Sequence, residues 1–201
     1  MPKFQKFQIP IAKTFLTTSE IQSVLKPLKS GWLVQGKYVN EFENKFSNYV
    51  GVKHSIAVTS CTAALHLSLI ALGFKPNDEA IVPALTWVST ANAVEYLGGK
   101  VNFCDIDLET FNIDVNQIES KITKRTKAIL IVHLHGNCCN INKIVKIKKK
   151  YNLVLIEDCA HSIEAKYKGK NVGTFGDFGC FSFYSNKNIT TIEGGMLICK
   201  S

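Results

Sequence analysis

The chain has 201 residues, of which 46% are hydrophobic, 20% charged and 10% aromatic. That composition supplies enough apolar content for a full core and excludes disordered, collagen-like and coiled-coil classes. The net charge of +8 comes almost wholly from lysine, with Arg125 the only arginine, and the lysines are scattered rather than gathered into a nucleic-acid patch.

No apolar run reaches the roughly 18–20 residues that span a bilayer. The N-terminal stretch shows no apolar core followed by a small-residue cleavage site, so a cytoplasmic location is expected, with no membrane and no nucleic acid as partner. Seven cysteines without a CxxC pair read as reduced, mostly buried thiols.

In chain order, residues 1–30 read as an arm and a helix. Thr18 or Ser19 is placed to cap it, Ile21, Val24, Leu25 and Leu28 fall at helical spacing, and Pro27 is placed to kink or shorten it. A turn at Ser30-Gly31 leads to a second helix over 38–51. From there short runs rich in β-branched residues (55–60, 79–85, 100–107, 128–134, 153–158) alternate with helical segments (62–74, 88–98, 114–122, 140–151), and strands 178–184 and 195–200 follow. The basic run in 140–151 sets Ile144, Val145 and Ile147 on one side, which predicts an amphipathic helix with a solvated lysine face. This alternation predicts an α/β domain over 31–201, with a largely parallel sheet covered on both faces. In such sheets ligands sit at the carboxyl ends of the strands.

Four of those ends carry chemistry. After 55–60, Ser60-Cys61-Thr62 runs into an apolar helix, whose free N–H groups form an anion site; taken alone, Thr62 reads equally as an N-cap. After 79–85 comes Trp87, which in isolation reads as core and otherwise as a lid on a flat ligand. Asp158 ends 153–158, where an unpaired buried carboxylate needs a partner, while Glu157 should face the opposite way. His161, three residues on, reads alone as a structural histidine. After 178–184, Lys187 lies in a polar turn, either solvated or held dry as a nucleophile. Together these are the parts that hold pyridoxal 5'-phosphate (PLP). His133, His135, Cys138 and Cys139 offer an HxH pair with two thiols for zinc, but no metal is expected.

The sequence resembles the DegT/DnrJ/EryC1/StrS family of PLP-dependent sugar aminotransferases, of the aspartate-aminotransferase-like fold (PLP fold type I). The likeness runs through IPIAKTFLTTSEI, SGWLVQGKYVNEFE, GVKHSIAVTSCTAALHLSL, VPALTWVSTANAV, KAILIVHLHG and VLIEDCAHSIEAKYKGKNVGTFGDFGCFSFYSNKNITTIEGGM. It implies a mostly parallel seven-stranded sheet flanked by helices. It also implies that Lys187 is the Schiff-base lysine, that Asp158 binds the pyridine nitrogen, and that His161 stands near the ring hydroxyl. Ser60, Cys61 (through its backbone), Thr62 and Ser182 would hold the phosphate, Trp87 would stack, and Gly31 and Trp32 would lie near the sugar.

The implied reaction moves an amino group from an amino acid, L-glutamate, to a nucleotide-linked keto-deoxysugar for surface polysaccharide, in a homodimer. A related branch that removes a hydroxyl carries His in place of the lysine. Cys61 and Ile192 replace usual glycines, and His135 with 137–139 replaces a more common Tyr and Gln-Pro stretch. The chain stops after 195–200, where the family continues, so a C-terminal small domain is expected to be absent. The alternative is a catalytically silent protein that kept the fold.

Overall fold

A computed structural model describes residues 12–199. Its first helix, α1 (Thr18–Ser30), is capped by Thr17 rather than Thr18 or Ser19: the Thr17 side chain accepts from the Glu20 N–H while the Glu20 carboxylate accepts from the Thr17 N–H. This reciprocal pair satisfies two free donors at once. Pro27 does not end the helix, which runs one turn further to Gly31 in the left-handed region at φ 73°. None of the α1 residues is buried. Helix α2 (Lys37–Val50) follows and turns its Phe46 and Val50 inward.

The remaining elements build a seven-stranded sheet with its helices and a separate two-stranded hairpin. They are β1 (His54–Val58), α3 (Cys61–Leu72), β2 (Glu79–Pro83), α4 (Ser89–Glu95), β3 (Lys100–Cys104), β4 (Thr126–Val132), α5 (Ile141–Tyr151), β5 (Val154–Asp158), the hairpin strands β6 (Lys166–Tyr167) and β7 (Lys170–Asn171), β8 (Phe178–Ser182) and β9 (Gly195–Cys199). The strand order is β1-β9-β8-β5-β4-β2-β3. Strand β9 runs antiparallel to both of its neighbours, and the other pairings are parallel. The carboxyl ends of β1, β2, β4, β5 and β8 therefore share one edge.

The central strands of this sheet are buried on both faces, which is why they read as unbroken apolar runs. Alternate residues part to opposite sides. Ala80, Val82, Leu130 and Ile156 pack with Leu65 and Leu69 of α3 and Val94 of α4. Ile81, Ile129, Ile131 and Leu155 pack with Ile141, Ile144 and Ile147 of α5. Phe46 and Val50 of α2 close a third cluster with Phe181, Phe183 and Ile198. The lysine face of α5 is left outward, as its pattern predicts, and all seven cysteines are free thiols.

Segment 114–122 departs from expectation. It is not an α-helix; only a 3-10 turn, Glu119–Lys121, forms there. The Asp114 carboxylate accepts from the Asn116 N–H and the Gln117 side chain, 2.9 Å each, so side-chain bonds hold the backbone in turns instead.

Candidate active site

A cavity of about 470 Å³ opens at the shared carboxyl edge. Ser60, Cys61, Thr62, Trp87, Asp158, His161, Ser182 and Lys187 all line it. Gly31 and Trp32 do not: Gly31 ends α1, and the Trp32 indole N–H donates to the Gln35 carbonyl at 3.1 Å, over Gly36.

At one end of the cavity stands the start of α3. Ser60 is its N-cap, accepting from the Ala63 N–H at 3.1 Å. The Thr62 hydroxyl is not the cap; it donates to Ser89 at 2.9 Å. The N–H groups of Cys61 and Thr62 are first-turn donors with no carbonyl behind them in the helix, and the helix end favours an anion. Gly195 of β9 backs this end. A Cβ there would meet Ser60 C at 2.5 Å and Cys61 N at 2.7 Å, so the glycine is what lets the helix start sit on the sheet.

Asp158 lies on the cavity floor, 5% exposed. One oxygen accepts from the Ala160 N–H at 3.0 Å and the Cys61 thiol at 3.7 Å; the other accepts from the Thr90 hydroxyl at 3.0 Å. Thr86 shares a 2.8 Å hydrogen bond with Thr90. Burial pushes the Asp158 carboxyl above its ordinary range, against the pull of those donors and of His161. The Cys61 thiol is pushed well up by burial and by Asp158, so it stays a donor.

Lys187 faces this floor from the turn after β8, half-buried. Burial lowers its ammonium below the ordinary lysine range, while Asp158 and Cys61 hold it up. His161 is likewise held down by partial burial, Lys187 and His135, with Asp158 opposing. Trp87 is not core: it is 76% exposed and forms part of the cavity wall.

Two wall residues, Thr86 and Ser89, were not predicted, nor was Thr90 buried behind them: Thr90 holds Asp158, Thr86 hydrogen-bonds to Thr90, and Ser89 accepts from Thr62. Glu157 faces away from the cavity, as alternation requires. Its oxygens accept from the N–H groups of Gly173, Phe175 and Gly176 and from His133 Nε2.

His133, Glu157 and Cys159 bring ligand atoms within 4.8 Å of one another. Both Glu157 oxygens are filled, however, and His133 Nδ1 accepts from the Cys139 N–H at 3.2 Å. Those bonds satisfy the cluster without an ion. They also break up the zinc set: Cys139 donates to the Val132 carbonyl, and His135 stacks on His161.

The chain is 48% identical over 191 residues to GDP-perosamine synthase of Escherichia coli O157:H7, covering 94% of this chain and 52% of that protein. It is 44% identical over 189 residues to the spore coat polysaccharide biosynthesis protein SpsC of Bacillus subtilis strain 168, covering 94% and 49%. The E. coli GDP-4-keto-6-deoxy-D-mannose-3-dehydratase, solved with bound hydrated PLP, superposes at a TM-score of 0.91 and 35% identity, over 96% of this chain and 51% of that one. The chain thus spans about half the length of the relatives it matches. The fold is that of the PLP-dependent sugar aminotransferases, fold type I. Residues 15–201 match the model of the DegT/DnrJ/EryC1/StrS aminotransferases, and the chain belongs to that family.

Proposed function

We propose that the chain forms the PLP-binding part of a transaminase. It moves an amino group from an amino acid, L-glutamate, to a nucleotide-linked keto-deoxysugar used in surface polysaccharide, as a cytoplasmic homodimer. The observation that carries this reading is that Lys187, Asp158 and Trp87, from three distant segments, wall one cavity at the carboxyl edge of the sheet.

The donor set fits the cofactor. The α3 start offers N–H groups and the Ser60 hydroxyl to a phosphate, and Ser182 lies on the same wall. Among the described residues no cation forms an ion pair with the buried Asp158 carboxylate, and a protonated ring nitrogen would supply one. Trp87 presents an exposed flat face. PLP contributes an aldehyde that an amine can capture and a ring that accepts the electrons released when a neighbouring C–H bond breaks.

The residues do the rest. Lys187, its ammonium weakened by burial, tethers the aldehyde carbon. Asp158 keeps the proton on the ring nitrogen. Freed by an incoming amine, the Lys187 amine would be the base that takes the proton from the substrate carbon and the acid that returns it to the former aldehyde carbon on the other side of the nitrogen. Trp87 would cover a ring face against water, and His161 would hydrogen-bond at the ring hydroxyl. Gly31 and Trp32, off the cavity wall, would meet the sugar from the turn after α1. The presence of Lys187 favours amino transfer over the hydroxyl-removing chemistry of the His-bearing branch.

Titration of the chain with PLP should raise a visible absorbance band that L-glutamate discharges, and Lys187→Ala should remove the band. A band that persists without Lys187 overturns the assignment. A band that glutamate leaves untouched supports a silent binding protein instead.

A further inference from the structure

The turn after β4 holds a device that the amino-transfer reading leaves unused. His135 sits at φ 51° and ψ 29°, and Gly136 follows at φ 82°. A histidine in the left-handed region carries strain, and strain persists only where its surroundings over-determine it. Here they do. The Leu134 N–H donates to Asn112 Oδ1 at 3.1 Å, Asn137 Nδ2 donates to the Thr110 carbonyl at 3.1 Å, and His133 is locked between Glu157 and Cys139.

What this pinned turn positions is the His135 ring. It lies face to face with the His161 imidazole, centroids 5.2 Å apart and planes 5° from parallel. The two rings wall a second cavity of about 310 Å³, which adjoins the first along Ala160, His161, Asn186 and Lys187.

We infer that His135 is a positioning residue for His161: the stack fixes the plane of the His161 imidazole, and so the direction in which its ring nitrogens face the cavity beside Lys187. A neutral imidazole has one donor and one acceptor nitrogen, so its use at the cavity depends on that direction. The inference rests on the PLP reading of the site.

The test uses the full chain with His135→Ala, which removes the face, beside His135→Phe, which keeps it. Two quantities are read: the PLP dissociation constant from visible absorbance, and the His161 ring-proton resonance without cofactor. His135→Ala should weaken PLP about three- to tenfold, the usual worth of an aromatic pair. It should also move the His161 resonance downfield as ring shielding disappears. His135→Phe should restore both. An Ala variant that binds PLP as tightly as the parent overturns the inference, whether or not the resonance moves. If the parent itself binds no PLP, the functional reading fails separately, and the resonance decides. Moved by Ala and restored by Phe, it upholds the positioning; unmoved, it overturns it.

Discussion

Glu157 is the sharpest stability test of the site's frame. The side chain is fully buried and adjoins Asp158 on β5, facing the other way. One oxygen accepts from the N–H groups of Phe175 and Gly176 at 2.7 and 2.5 Å; the other accepts from Gly173 N–H at 2.8 Å and His133 Nε2 at 3.0 Å. Glu157→Gln keeps the shape and turns one acceptor into a donor. With the amide NH2 toward Phe175 and Gly176, the part-buried Phe175 N–H and the buried Gly176 N–H both lose this acceptor. With it toward Gly173, that N–H loses its acceptor, and His133 would have to shift its proton to Nδ1, where the Cys139 N–H already points. Either way two bonds are lost, at about 1–3 kcal/mol for each buried group left unpaired. The expected destabilisation is about 2–6 kcal/mol, a large share of the roughly 5–15 kcal/mol that holds a domain folded. Denaturant unfolding with an unchanged m-value is the assay. A loss under about 1 kcal/mol would refute the view that Glu157 anchors the 173–176 turn behind β5.

Ile192 stands at φ 74° and is 74% exposed, so Ile192→Gly removes strain and little packing. It should gain about 1 kcal/mol and raise Tm by about 2–4 °C in a thermal melt; a lower Tm contradicts the strain. Gly195→Ala drives a Cβ into the backbone of Ser60 and Cys61. It should cost about 1–3 kcal/mol and weaken PLP binding, checked by denaturation and absorbance titration, and an unaltered variant would show that the α3 start has room to retreat. For pH, Lys187 adds to an aldehyde only as the free amine, and burial lowers its pKa from 10.5. The rate of PLP capture should therefore rise with pH to a plateau whose midpoint lies below that of an exposed lysine. Asp158→Asn removes the charge that holds the ammonium up, so the plateau should move to still lower pH. Stopped-flow absorbance reads this, and a shift to higher pH contradicts it.

The central strands were legible because both of their faces are buried, which writes them as apolar runs. The helices were legible where one face met the core, as for Ile141, Ile144 and Ile147. Segment 114–122 misled because its apolar spacing is helical while Asp114 draws the backbone into turns. The β6–β7 hairpin was missed because its strands have two residues each and its turn, Lys168-Gly169, lacks the Asn-Gly or Asp-Gly signature. Trp87 read as core in isolation because aromatic size speaks for burial; only its place after a strand end spoke for a wall. Lys187, Asp158 and the α3 start were readable from the rule that ligands meet the carboxyl edge. Thr90 was not, since nothing local to a helical threonine tells which carboxylate it holds. The His135–His161 stack depends on a left-handed backbone at His135 and joins two histidines from separate strand ends, which no local pattern pairs.

The most direct test of the whole account is to load the chain with PLP, reduce it with borohydride and map the labelled peptide by mass spectrometry. The pyridoxyl mass should sit on Lys187 alone, the half-buried lysine whose ammonium the site weakens. Label on another lysine, or on none, would contradict the claim that this cavity is built around that amine.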